Sequence, residues 1–345
     1  MSIDYGPLKS LFESSDITEI MINTWDKIFV EHKGMLVETS VRFVDARQYQ
    51  ELIYAVLSFD KKDISTGYAF DGILPLGHRY NITLPPLSPK GPAMTVRKFS
   101  AKSLTLDQLA QSDFISSQAA QFLKVAVESK LNIVISGGTG SGKTSFLNTL
   151  GSLVSFDERI VSIEDVAEIR LQHPNWLALQ AVNEPGRKLS VRDCLVNALR
   201  MRPNRIFVGE CRKDETFEML QAMNSGHEGS MTTVHANTPI DCLSRIESLV
   251  YLAGIDLPLR QIRYQMSQAF NLIIQLKRHS NGKREVTEIV ELTTMEGDII
   301  KRSTLFQRDR FGKLVCSGNV PRVLDIINAE KMILPSNFFD NKKSA

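Results

Sequence analysis

Cysteine pairs, long apolar runs and an excess of either charge are all missing from this chain of 345 residues, and each absence excludes a class of protein. The four cysteines, Cys194, Cys211, Cys242 and Cys316, are scattered without a C-x-x-C pair. That spacing fits reduced, mostly buried thiols in the cytosol better than a disulfide framework or a zinc site. No apolar run approaches the roughly 20 residues that a bilayer-spanning helix needs. The opening MSIDYGPLKS lacks the charged-then-apolar pattern of a secretory signal. Any work on a membrane is therefore expected to go through partners. The 41 Lys and Arg nearly cancel the 39 Asp and Glu, which removes the bulk electrostatic argument for nucleic acid or anionic lipid. Long low-complexity tracts and obvious internal repeats are lacking too.

What is present is enough apolar residue, 43%, for about two domains with cores of their own. Residues 1–100 read as a mixed α+β domain. Glu19–Asn23 and Lys27–Glu31 are two short β-like runs around Thr24-Trp25-Asp26, and Gln48–Leu57 has helical spacing. Strand-like pieces return at Tyr80–Leu84 and Ala93–Lys98, separated by a loop with four prolines. Residues 101–115 read as a mostly polar junction. From about Ser117, over a domain taken as 116–345, helices alternate with apolar strands, the α/β pattern. The strands fall at Asn132–Ser136, Arg159–Ile163, Arg205–Val208, Met231–Val234 and Leu272–Leu276. Ser190-x-x-Asp193 and Thr238-Pro239-x-Asp241 carry helix-start signals.

The strongest chemical signal is Gly137-Gly138-Thr139-Gly140-Ser141-Gly142-Lys143-Thr144, a complete G-x-x-x-x-G-K-[ST] between a strand and a helix. Glycines let such a loop wrap closely enough for backbone N–H groups to face phosphate oxygens, and the helix entered at Ser145 aims its positive end at the same anion. Lys143 is placed to reach the β- and γ-phosphates, and the Thr144 hydroxyl to ligate Mg²⁺. Two further strands end in acids: Ile163 runs into Glu164-Asp165, with Glu168 a turn later, and Val208-Gly209 runs into Glu210. At the carboxyl ends of a parallel sheet both clusters converge on the phosphates. One carboxylate can hold the magnesium water shell, and the other can polarise the attacking water.

The box from Gly226 to Asn237 sets His227 and His235 around a Thr-rich strand. Spacing leaves open a metal site, hydrogen-bonded strand-end histidines, or a sensor of the γ-phosphate. Arginines suited to a transferring phosphoryl group occur at 79, 97, 192, 200, 202 and 205, although a surface ion pair is the simpler reading of any one. Lys277-Arg278-His279 and Lys283-Arg284 flank Asn281-Gly282, read as a solvated hairpin turn without function.

In order along the chain, the P-loop, IED-x-x-E at 163–168, RPNRIFVGE and GH-x-GS-x-TT-x-HAN resemble the hexameric traffic ATPases of type II and type IV secretion. ITEIMIN, RYNITLPPLSPKGPAMTVRKF, LQAMNSGHEGS, TPIDCLSRIES and MEGDII are similar to the CpaF/TadA subgroup that powers Flp (tight-adherence) pili. The resemblance spans Asp16 to Phe339. It implies a PAS-like N-terminal domain on a RecA-like ATPase domain, a homo-hexameric ring, ATP and Mg²⁺ between the domains, and an inner-membrane platform protein as partner. It implies a cytoplasmic location, peripheral to the inner membrane. Glu164 becomes the catalytic glutamate, Glu210 the Walker B acid that holds Mg²⁺ with Thr144, and His227 and His235 the His-box residues. Arg79 and Arg97 become the arginines that close over the phosphates.

There are departures from the pattern. Relatives usually carry a longer helical N-terminal extension, so docking to the usual partners is expected to differ. The expected RGGE reads Cys211-Arg212-Lys213-Asp214-Glu215, and the tetra-cysteine zinc module of many pilus-assembly ATPases is absent. Two alternatives share the core: a nucleic-acid translocase, disfavoured by the missing basic stripe, and a nucleotide-gated scaffold, disfavoured by Glu164 and Glu210 beside an intact P-loop.

Overall fold

The computed structural model describes residues 3–99, 104–184, 186–332 and 334–340. The chain divides into two compact units, one of residues 1–102 with 279–283 and one of residues 103–278 with 284–345.

In the first unit six strands form one antiparallel sheet: β1 (Ile17–Thr24), β2 (Lys27–His32), β3 (Met35–Glu38), β4 (Ala69–Ile73), β5 (Arg79–Thr83) and β6 (Ala93–Arg97), in the order β3-β2-β1-β6-β5-β4. The helices are α1 (Lys9–Glu13) and α2 (Ala46–Phe59). Helix α2 starts where the Asp45 side chain accepts the amide hydrogen of Gln48. Its stripe of Tyr49, Leu52, Ile53, Val56 and Leu57 is buried with the alternating inward residues of the sheet, among them Ile20, Ile22, Ile82 and Val96. Each fully buried aliphatic side chain there contributes about 1.5–3 kcal/mol. Strands β3 and β4 were not anticipated. All four residues of β3 are exposed at the sheet edge, and β4 is interrupted by Gly72, so neither shows a burial alternation.

The second unit begins with helix α3 (Leu106–Gln111), opened by a reciprocal capping box between Thr105 and Gln108. Leu106, Leu109, Phe114 and Ile115 are buried in its core. The stretch 101–115 reads as polar because the outward face of a short amphipathic helix is polar. After α4 (Ser117–Glu128) come β7 (Ile133–Gly137), α5 (Lys143–Gly151), β8 (Ile160–Glu164) and β9 (Trp176–Gln180). A small ribbon of β10 (Val182–Glu184) and β11 (Arg187–Leu189) leads to α6 (Val191–Ala198), β12 (Arg205–Val208), α7 (Glu215–Asn224) and β13 (Met231–Val234). Next are α8 (Pro239–Leu252), α9 (Leu259–Ala269), β14 (Leu272–Arg278), β15 (Arg284–Glu296), β16 (Ile299–Arg308), β17 (Leu314–Cys316) and α10 (Leu324–Ala329).

The large sheet runs β17-β16-β15-β14-β7-β13-β12-β8-β9, parallel from β14 to β9 and antiparallel beyond β14. All residues of β7, β8, β12 and β13 are buried, as strands covered on both faces must be. Strand alternation divides their side chains between two cores. Ile133 and Ile135 face α4 and α5, whereas Val134 joins Val161, Ile206 and Val234 beneath α6 to α9. The sequence suggests that the acid-bearing strands lie next to the P-loop strand. Instead β7 pairs with β13 and β14, and β12 and β8 follow further along. The chain crosses over β13 and β12 positions before β8, which keeps all the strand ends on one rim.

Candidate functional site

The carboxyl ends of the parallel strands collect the chemistry. Strand β7 ends at Gly137, and Gly138, Thr139, Gly140 and Ser141 turn the chain into α5, capped at its start by Gly142. The first amide bonded within that helix start is Phe146 N–H, to Gly142 O at 2.9 Å. The amides of Lys143, Thr144 and Ser145 thus lie in the first turn, which has no carbonyl of its own helix to accept them and where the helix dipole favours an anion. Lys143 is buried, and its ammonium donates to the carbonyls of Gly137 (3.0 Å) and Gly138 (3.1 Å).

Glu164 closes β8 and is 4% exposed. Its Oε1 accepts the amide hydrogens of Glu168 and Ile169, both at 2.9 Å. Burial outweighs these two donors and pushes its pKa up to about 7. Strand β12 is followed by a glycine, and a Cβ at Gly209 would lie 2.8 Å from Glu164 Cγ. Glu210 follows, with Oε1 3.0 Å from His235 Nε2 and Oε2 2.6 Å from an Arg212 nitrogen. His235, just beyond β13, also stands 3.4 Å (Nδ1) from the Lys143 ammonium. Burial, and then the Lys143 charge, lower the His235 pKa. The ammonium is as near to Nε2 (3.3 Å), so it stands against the ring edge that also faces Glu210. Lys143, His235, Glu210 and Arg212 thus form one continuous polar chain across β7, β13 and β12.

The Thr144 hydroxyl donates to Glu168 Oε2 at 3.2 Å, and its lone pairs can still ligate a cation. This oxygen donor pair suits a hard cation. Among the described residues no group of three His, Cys, Asp or Glu is placed to hold a metal. When bound, such an ion neutralises developing charge on phosphate oxygens. Thr144 would hold it here, with Glu168 beside it, and Glu210, whose oxygens meet His235 and Arg212, would reach it through water.

Other expected residues fall elsewhere. His227 precedes β13, at the opposite end of that strand from His235, with Nδ1 3.3 Å from the carbonyl of Ala222. Arg205 is fully buried and bonded to Glu158, and Arg192 is paired with Glu218 and Asp214, so both are structural. Arg79 on β5 and Arg97 on β6 are direct cross-strand partners in the first unit, and Arg97 Nε donates to Glu19 at 2.8 Å. Sequence reasoning overlooked Arg278 and Arg284, whose side chains lie on the P-loop. The hairpin turn between them is legible, but its meeting with a loop about 140 residues earlier is a tertiary fact. All four cysteines are buried free thiols.

A P-loop at the end of an inner strand of a parallel sheet, with acids at the ends of two strands further along and a PAS-like α+β unit before it, defines a RecA-like P-loop ATPase fold with an N-terminal domain. The chain belongs to the type II/IV secretion system protein family, whose sequence pattern matches residues 2–307. It is 31% identical over 284 residues to the conjugal transfer protein TrbB of Rhizobium radiobacter, covering 81% of this chain and 85% of TrbB. It is 30% identical over 322 residues to the type IV secretion system protein VirB11 of Bartonella henselae, covering 82% and 90%. Among solved structures, the ATPase DotB of Legionella pneumophila shares the fold with a TM-score of 0.60 at 21% identity, over 80% of this chain and 77% of that one. No helix among the described residues is long and apolar enough to cross a membrane.

Proposed function

We propose that this protein hydrolyses ATP and uses the cycle to drive pilus assembly or protein secretion from the cytoplasmic face of the inner membrane. The observation that carries the reading is the meeting of Lys143, Glu164, Glu210 and His235 on one rim of the sheet, with Glu164 buried and poised near neutrality. Glu164 is the general base for the attacking water, since a carboxylate with a pKa near the working pH is both available and basic. Lys143 leaves its two carbonyl partners for the phosphates, and His235 links that movement to Glu210. On the resemblance to CpaF/TadA ATPases, six copies form a ring, Mg²⁺ accompanies the nucleotide, Arg79 and Arg97 meet its phosphates, and an inner-membrane platform protein receives the motion.

The test is phosphate release by the purified protein. Lys143→Ala is expected to lower hydrolysis by about 100-fold or more while leaving the circular dichroism spectrum unchanged. Near-native turnover would reject the site. Strong, salt-sensitive stimulation by single-stranded DNA would point instead to a translocase.

A further inference from the structure

We propose that Arg278 and Arg284, at the base of the β14–β15 hairpin, are part of the nucleotide site: Arg284 positions the phosphate loop, and Arg278 supplies a second cation beside Lys143. The inference rests on the nucleotide reading above and adds residues to it. Arg284 Nε donates to the carbonyl of Gly140 at 2.7 Å. Its stem runs along the loop, with Cδ 3.8 Å from where a Cβ at Gly142 would stand. Arg284 therefore spans the stretch from which the amides of residues 140–143 are presented. Arg278 comes from the facing strand, and its Nη1 would be 2.6 Å from a Cβ at Gly140. Gly140 has a φ of +70°, so a side chain there is strained by the backbone and would displace the guanidinium.

Register supplies a second reason. Arg278 and Arg284 are direct partners across the antiparallel pair. Two guanidinium groups placed side by side at the loop can both meet a polyphosphate there. Guanidinium suits the task because its fork can hold a carbonyl or a phosphate oxygen while its charge stays fixed. A loop held through Gly140 acts on the phosphates that the loop amides grip, not on the γ-phosphate alone. Both ADP and ATP should feel its loss equally.

The experiment measures ADP and ATP affinity by fluorescent-nucleotide titration, and KM and kcat by phosphate release, for the full chain and for Arg284→Ala, Arg284→Lys, Arg278→Ala and Lys143→Ala. Each alanine arginine variant is expected to weaken both nucleotides about tenfold, as loss of one charge-assisted hydrogen bond does. KM should rise by more than kcat falls, and Arg284→Lys should recover most of the affinity. Melting temperatures without nucleotide should match, whereas the upward shift produced by ADP should shrink. Arginine variants that bind like the unaltered protein, while Lys143→Ala does not, overturn this inference and leave the nucleotide reading standing. A loss confined to ATP, or one tracking a lowered melting temperature, also overturns it. Absence of binding by the unaltered protein removes the reading and the inference together.

Discussion

The two ends of the parallel strands use the same kinds of residue for opposite purposes. At the amino end two buried polar side chains are each held by several protein partners. Arg205 donates to both oxygens of Glu158 (2.9 and 2.6 Å) and to the carbonyl of Val127 (2.7 Å). The Asn132 amide reaches the carbonyls of Met223 and Ala269 and accepts from Ser230 N–H. At the carboxyl end, Glu164 is buried with its pKa pushed to about 7, and Lys143 rests on carbonyls of its own loop. One end spends its polar groups on the fold. The other holds them at a cost to stability, which is what a reactive site needs.

Glu164→Gln should separate the two ends most sharply. It keeps an acceptor for the amides of Glu168 and Ile169 but removes the base, so kcat should fall about 10²–10⁴-fold. The folded-state pKa is raised above the ordinary value of 4.5, so the proton is held more tightly in the folded chain. Stability from this group is then complete below pH 4.5 and is lost as pH rises through about 7. Gln does not ionise. Urea unfolding at pH 8 should show the variant more stable by up to about 3 kcal/mol, with the gain gone near pH 4. For the unaltered protein kcat should climb with pH through about 7, as Glu164 ionises. A variant equally stable at both pH values would mean that Glu164 is not strained.

At the amino end the sign reverses. Arg205→Ala strands the Glu158 carboxylate, and loss of one partner of a buried pair costs about 3–5 kcal/mol. Asn132→Ala leaves two carbonyls and an amide without their partner, a loss of about 2–3 kcal/mol. Urea midpoints should fall in that order. A stability change under 1 kcal/mol in either variant would break the contrast.

How much of this was legible follows from which interactions are local. The P-loop, the acids at Glu164 and Glu210, and the capping residues Ser190 and Thr238 are written in short sequence windows, and those strands and helices occur at the expected residues, though not in the expected sheet order. Strand β9 was missed: Trp176–Gln180 is an edge strand of partly exposed residues with no period of its own. The strands after β14 alternate polar and apolar too irregularly, because their register slips between Ile289 and Val290 and again between Leu292 and Met295. Glu168 was seen as an acid but not as the partner of Thr144, and Arg284 as a turn residue but not as a ligand of the P-loop. Both depend on sheet order, which no window contains.

The smallest predicted effect concerns the two histidines. They are eight residues apart, and a box motif groups them, yet β13 carries them to opposite ends. His235 touches the Lys143 ammonium and Glu210, so His235→Asn should lower kcat about tenfold by uncoupling them. His227 meets the Ala222 carbonyl at the end where polar groups serve the fold. His227→Asn should leave ATP affinity within about twofold, because a long hydrogen bond contributes little. Phosphate release and titration with a fluorescent ATP analogue, applied to both variants, decide the matter. Equal weakening by the two would mean that the site reaches His227 through a neighbouring subunit, and the division between a structural end and a chemical end would then hold only within one chain.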